Sequence, residues 1–247
     1  MVTFHHSGIS AQETELPHAV LVNAQPARRG ISKAARVYDD LRASIVSLTL
    51  KPGERLDKNE ICRRMNVSRQ PLAEAIARLA DERLIEVEPQ KGTFVARIRM
   101  ADVAEAAFVR RALEVATVER IAADIDDATL QRLNRNLAYQ ATALEADDAE
   151  GFYALDVRFH TMFFDRLGMD RIAEAVGSSR AQLERTRRLL LPMPGRNQST
   201  LREHRAILAA LTRRDPDAAG AAMGAHLDAV MAELKRFAAR QPDLFEP

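Results

Sequence analysis

Residues 59–96 read NEICRRMNVSRQPLAEAIARLADERLIEVEPQKGTFVA, and the order of signals in this stretch decides the architecture of the N-terminal part of the chain. A short helical pattern through Met65 is broken by Asn66-Val67-Ser68, and a second, carrying Leu72, Ile76 and Leu79 on one face, begins at Ser-Arg-Gln-Pro. Ser68 is a natural N-cap, and Pro71 suits a first helical turn, whose N–H groups have no partner in the helix. Two β-forming runs follow, 84–87 and 93–95, on either side of a turn at 89–92. Helix, tight turn, second helix and wing together form a unit that lays its second helix in the major groove of DNA.

Upstream, Val37, Leu41, Ile45 and Leu48 form an apolar stripe that predicts a first helix, ending before Lys51-Pro52-Gly53, and a second helix covers 57–65. Residues 1 to about 30 show no sustained apolar periodicity and are read as a mobile arm, assigned to 1–33, with the winged unit at 34–98. Downstream of Arg97 no strand signal remains. Helical patterns run over 101–123, 127–146, 149–167, 170–190, 199–213 and 216–238, separated by DD at 126, DD at 147, GMD at 168, PMPG at 192 and RRDPD at 213. The predicted fold is mainly α: a winged helix-turn-helix followed by an all-α bundle over 99–240, with a tail at 241–247.

The 247 residues, 47% hydrophobic, suffice for two small cores. A single cysteine, Cys62, excludes an internal disulfide and a cysteine-rich zinc site, and its place in EICRRM is that of a small buried helix residue. The start MVTFHHSGIS has no basic stretch leading into an apolar one, and no uncharged run is long enough to span a bilayer, so a soluble cytoplasmic protein without a membrane partner is expected. Net charge is +1 overall, +3 up to Ile98 and −2 beyond it, a mild asymmetry that leaves the motifs to decide.

Side chains at the start of a recognition helix reach base edges, and Arg bonds guanine through two parallel donors, which makes Arg69 the first candidate for reading sequence. Ser68 and Gln70 flank it, Gln70 suiting a base edge or a phosphate. Lys58, Arg78 and Lys91 are placed for phosphate contacts that fix register, and Gly92 joins them in the wing. An isolated exposed Arg is ordinarily a solvated surface residue; the surrounding turn and wing reverse that reading for Arg69.

In the second half, Asp156 and His160 stand four apart in ALDVRFHTMFF and share a helix face with Leu155, Phe159 and Phe163, while His204 and His226 lie among apolar residues of later helices. One carboxylate and three imidazoles converging in a bundle would hold a divalent ion such as Zn²⁺, Ni²⁺ or Mn²⁺. Spacing alone leaves open whether these helices meet, since single histidines on apolar faces are often hydrogen-bonded core residues.

From Val37 to Ala96 the chain resembles the winged helix-turn-helix domain of the GntR family. The resemblance rests on PGERL, VSRxP, RLIEV and KGTFV in order. Ala73 departs from it, standing where the family usually carries an Arg that touches DNA, which implies a different operator or weaker binding. Residues 101–238 resemble the FCD ligand-binding domain of one GntR subgroup, through RRALE, DVRFH, EHRAILAAL and DPDAAGAAMGAHL. The resemblance implies that Asp156, His160, His204 and His226 bind a divalent metal and that Arg110 points into the same cavity, where a guanidinium suits a carboxylate effector. Met169, where relatives often have Asn, implies altered loop geometry.

The expected protein is a homodimeric, non-enzymatic regulator, a repressor, binding a pseudo-palindromic operator and releasing it when an organic or sugar acid reaches the metal cavity. Two alternatives stand beside it. The metal would be purely structural, or a His₃Asp ion with open positions would activate water in a hydrolase, for which no general base or nucleophile motif is evident.

Overall fold

The computed structural model describes residues 32–168, 180–190 and 193–246. Helix α1 (Lys33–Val46) starts at Ser32, whose hydroxyl accepts from the Ala35 N–H, and buries Val37, Leu41 and Ile45. Leu48 falls outside this helix, in the turn that follows, with φ of 62°, and Leu50 is buried in its stead. Asp57 caps α2 (Lys58–Met65), and Asn66 closes it in the left-handed region that Asn tolerates, so the chain reverses at Asn-Val-Ser into α3 (Arg69–Asp81). Ser68 stands at the N-cap of α3 but makes no side-chain capping bond. Cys62 is only half-buried.

Strands β1 (Ile85–Glu88) and β2 (Gly92–Val95) pair antiparallel, with Ile85 opposite Val95 and Glu88 opposite Gly92. The PGERL stretch joins their edge: Gly53 N–H donates to the Val95 carbonyl and Leu56 N–H to that of Thr93. At Gly92, φ is +139° and an added Cβ would lie 3.0 Å from Arg55 Nε, so the wing turn favours glycine. Leu41, Leu56, Leu72, Ile76, Leu79 and Leu84 centre the winged core. Each such side chain, taken fully from water, contributes roughly 1.5–3 kcal/mol.

The second half is helical: α4 (Met100–Ala122), α5 (Asp127–Glu145), α6 (Ala149–Leu167), α7 (Arg180–Leu190), α8 (Arg196–Thr212) and α9 (Pro216–Arg240). Helix α4 runs along α9, α5 packs on α6, and α8 lies between α5 and α9, around a core that includes Phe152, Phe159, Phe163, Ile207 and Met223. Helix α8 begins at Arg196, three residues before its predicted start, because Gly195 in the left-handed region turns the chain and Arg196 is buried against Glu203 and Glu233. Of the predicted helix 170–190 only 180–190 is described, and Met169 and the arm to residue 31 lie outside the described residues.

Residues 242–246 carry no periodic signal, yet they dock. Pro242–Leu244 make one 3-10 turn, the Ile98 N–H donates to the Leu244 carbonyl (3.0 Å), the Glu246 N–H donates to that of Ile98 (3.0 Å), and Phe245 is buried with Ile98, Val103 and Leu234. The link between the two halves is thereby held by the C-terminal segment.

Candidate nucleic-acid interface and metal centre

At the start of α3, Arg69 and Gln70 are exposed, Arg69 resting 3.4 Å from Asn59 Oδ1 and Gln70 3.3 Å from Glu74 Oε1. These contacts are long or solvated, so both side chains can turn outward at little cost. Lys58 is exposed at the N-terminus of α2, where a cation opposes the helix dipole, and it makes no ion pair among the described residues. Lys91 pairs with Glu88 inside the wing turn at 2.8 Å, and Arg78 lies over the Tyr38 ring, 3.8 Å from its centroid, more than two turns beyond Arg69. Ala73 and Ala77 follow Arg69 at four-residue steps and, with exposed Val87 of the wing, give this face an apolar stretch.

The bundle brings Asp156, His160, His204 and His226 together: one ligand-capable atom from each lies within 4.8 Å of the others, and all four residues are buried. Asp156 and His160 come from α6, His204 from α8 and His226 from α9. Spacing leaves this convergence open; α8 and α9 complete it by packing side by side.

Each of the four is oriented from behind. His160 Nδ1 meets Glu114 Oε2 at 2.6 Å, His204 Nδ1 meets Gln140 Oε1 at 3.0 Å, and His226 Nδ1 meets Glu203 Oε2 at 2.7 Å. Asp156 Oδ2 is ion-paired with Arg187, which turns Oδ1 toward His204 Nε2 (3.5 Å) and His160 Nε2 (3.7 Å). Tetrahedral zinc with ligands near 2.0–2.1 Å would set neighbouring donors about 3.3 Å apart, so small adjustments would bring these atoms to coordination distance. His204 Nε2 is buried and makes no hydrogen bond among the described residues. The residues fit a divalent cation, and the carboxylate and carbonyl partners behind the imidazoles match the arrangement that fixes a ligand's tautomer.

Burial, aided by the neighbouring His226 and His160, holds His204 well below its ordinary pKa. His226 is pushed down to about 4, mainly by burial, against the opposing hydrogen bond that its Nδ1 makes to the Glu203 carboxylate. Neutral imidazoles are the form that metals bind. Burial would raise the Glu114 carboxyl, but the Arg110 guanidinium and His160 overcome it and keep the group well below the usual carboxylate range. Arg187 is pushed down to about 9 by burial and by the charge of Arg110.

Arg110 Nε donates to Glu114 Oε1 (2.6 Å), so the predicted effector residue also backs His160, through Glu114. A cavity beside the cluster, lined by Arg110, Tyr153, Asp156, Arg187, Arg196 and His226 among others, encloses about 40 Å³. That is room for about three waters, and an organic acid would enter only as these side chains move. Glu114, Gln140, Glu203 and Arg187 are absent from the sequence-based site. Glu114 carried one signal, its place one turn after Arg110 in RRALE.

A helix-turn-helix with a wing, joined to a helical bundle around a buried His₃Asp cluster, defines a DNA-binding transcriptional regulator. The model of bacterial regulatory proteins of the gntR family matches residues 33–95, and that of the FCD domain matches residues 105–229. The chain is 32% identical over 210 residues to the HTH-type transcriptional repressor RspR of Escherichia coli (strain K12), covering 85% of this chain and 92% of that protein. It is 35% identical over 209 residues to an uncharacterized HTH-type transcriptional regulator in an unstable DNA locus of Streptomyces ambofaciens, covering 85% and 88%. Its fold matches the solved structure of a putative transcriptional regulator GntR from Rhodococcus sp. RHA1 with TM-score 0.69 and 27% identity, over 83% of this chain and 98% of that one. The chain belongs to the GntR family and carries an FCD domain. Members of that family are transcription regulators, not enzymes, which removes the hydrolase alternative. No helix among the described residues is long and apolar enough to cross a membrane.

Proposed function

We propose that this regulator binds a pseudo-palindromic operator as a homodimeric repressor, with Arg69 reading bases and Ser68, Gln70, Lys58, Arg78, Lys91 and Gly92 placing the recognition helix and wing on the backbone. Asp156, His160, His204 and His226 hold one divalent ion, which supplies a Lewis-acidic anchor for an oxygen donor. Arg110 receives the carboxylate of a small organic or sugar acid beside it. The effector acts by favouring one arrangement of the two domains over the other. The observation that carries the metal reading is the set of oriented Nδ1 groups, three imidazoles each held from behind, with the opposite edges of His160 and His204 facing one carboxylate oxygen. A repressor reading is supported by the RspR relative, and a sugar-acid reading by the gluconate operon transcriptional repressor of Bacillus subtilis, 33% identical over 52% of this chain and 53% of that protein.

The narrowness of the 40 Å³ cavity favours a second reading, in which the ion only braces the bundle. One experiment separates the two. Elemental analysis of the purified protein and its Asp156→Ala and His160→Ala variants should give about one ion per wild-type chain and none in the variants. Operator selected from random DNA is then titrated in the presence of carboxylic and sugar acids. Metal bound with no response to any acid would sustain the structural reading and end the effector one; no metal under any loading condition would end both.

A further inference from the structure

Helix α7 touches both halves of the molecule, and its contacts at the two ends differ in kind. Toward the site, Arg187 pairs with Asp156 Oδ2 and Arg188 with Glu150 at 2.8 Å. Toward the winged domain, Ala181 is buried in the winged core itself, Gln182 Nε2 donates to the Arg83 carbonyl (3.2 Å), and Arg185 donates to the Ala96 carbonyl. Leu183 and Leu190 bury themselves with Ile98, Val103 and Phe245 at the seam between the domains.

Arg185 is the unusual member. It is fully buried, 0% exposed, yet among the described residues it makes no ion pair; its charge rests on the Ala96 carbonyl and on Gln182 Oε1 at 3.2 Å. Burial accordingly depresses its pKa to about 10, with Glu86 opposing. A buried cation held by carbonyl oxygens alone is costly to keep and is retained only in one docked arrangement, since displacement of the carbonyl would leave the charge unsolvated. Its acceptor is the backbone of the linker that joins the domains.

We propose that α7 couples the Asp156 site to the winged domain, with Arg187 as the positioning residue at one end and Arg185 and Gln182 as the latch at the other. In the docked arrangement Arg187 holds Oδ2 of Asp156 and so aims Oδ1 at the histidine edges, which preorganises the site for a cation. Linkage requires the reverse as well: an ion bound at the cluster favours the docked helix, and an anion that draws Arg187 away from Asp156 loosens the latch. The metal arm rests on the function proposed above; the coupling arm does not, because it reads one end of α7 while the other is cut.

The coupling arm uses full-length, metal-stripped protein and amide hydrogen exchange. Arg187→Leu is expected to speed exchange at the Ala96 and Ile98 amides, which donate to Leu84 and Leu244, by threefold or more, with Arg187→Lys restoring the wild-type rate and the amides of α5 unchanged. Wild-type rates at Ala96 and Ile98 in Arg187→Leu would overturn the proposal, whether or not metal binds. In the metal arm, Zn²⁺ is titrated against a competing chelator. Arg185→Met and the milder Gln182→Ala, neither of them at the cluster, are expected to lower Zn²⁺ affinity threefold or more, and wild-type affinity in both folded variants would overturn the coupling. Failure of the wild-type protein to bind Zn²⁺ would overturn only the metal reading and leave the exchange result to decide.

Discussion

Replacing Glu114 by Gln keeps the side chain's shape and removes its charge, and the structure says what that change should cost. The carboxylate is 1% exposed and accepts two hydrogen bonds at 2.6 Å, from Arg110 Nε and His160 Nδ1. An amide accepts only through its oxygen, so one of those N–H groups would face the new NH₂, and the Arg110 guanidinium would remain buried without its counter-ion. Breaking one partner of a buried pair costs about 3–5 kcal/mol. For a domain of this size each kcal/mol lowers the melting temperature by roughly 2–4 °C, giving a drop on the order of 10 °C in the metal-stripped protein. Loss of the carboxylate behind His160 should weaken divalent-metal binding by about 10- to 100-fold. Calorimetric melting and chelator competition, run on the same preparations, measure the two effects separately. Adding Arg110→Met to Glu114→Gln should recover part of the stability, because the stranded charge is gone, without restoring metal affinity. Lower melting with metal affinity within threefold of wild type would reduce Glu114 to a structural residue. Unchanged melting would refute the buried-pair argument itself.

Arg69→Ala should abolish preference for the selected operator over random DNA in a fluorescence-anisotropy titration while leaving bound metal and oligomeric state unchanged; retained preference would remove Arg69 as the main base reader. Phe245→Ala empties a seam position that is 5% exposed and should cost about 3 kcal/mol, read as a lower unfolding midpoint and faster exchange at the Ile98 amide, which the tail carbonyl holds. The metal-stripped protein should lose stability as pH falls from about 6.5 to 4. His226, held near 4 in the fold, stays neutral there while the same residue in the unfolded chain takes up a proton, so the contribution is intact above the unfolded pKa and lost on the way down. A flat stability profile across that interval would contradict the burial of a neutral His226.

How far the sequence could be read depended on whether each signal was local. The stripe Val37, Leu41, Ile45, the Asn66 turn and the glycine of the wing are written in consecutive residues, and these elements form where expected. Asp156 and His160 were legible in the same way, four apart on α6, but the approach of His204 and His226 depends on how α8 and α9 pack, and only resemblance to relatives suggested it beforehand. The residues behind the imidazoles show why adjacency misleads. Glu203 precedes His204 in the chain, yet consecutive side chains on a helix point about 100° apart, so Glu203 serves His226 of the neighbouring helix while His204 is held by Gln140 of α5. The run Glu184-Arg185-Thr186-Arg187-Arg188 has the composition of a solvated helix face. The linker and the bundle close around it instead: Arg185 is enclosed by the linker, Arg187 by the site, and Arg188 lies over the Tyr153 ring, 4.4 Å from its centroid. Each guanidinium was recruited by a carbonyl, carboxylate or ring from a distant part of the chain, and no pattern within the run itself records those partners. The same argument applies to Phe245, an apolar residue in a segment without periodicity, whose burial is decided by the shape left between α4, α9 and the linker.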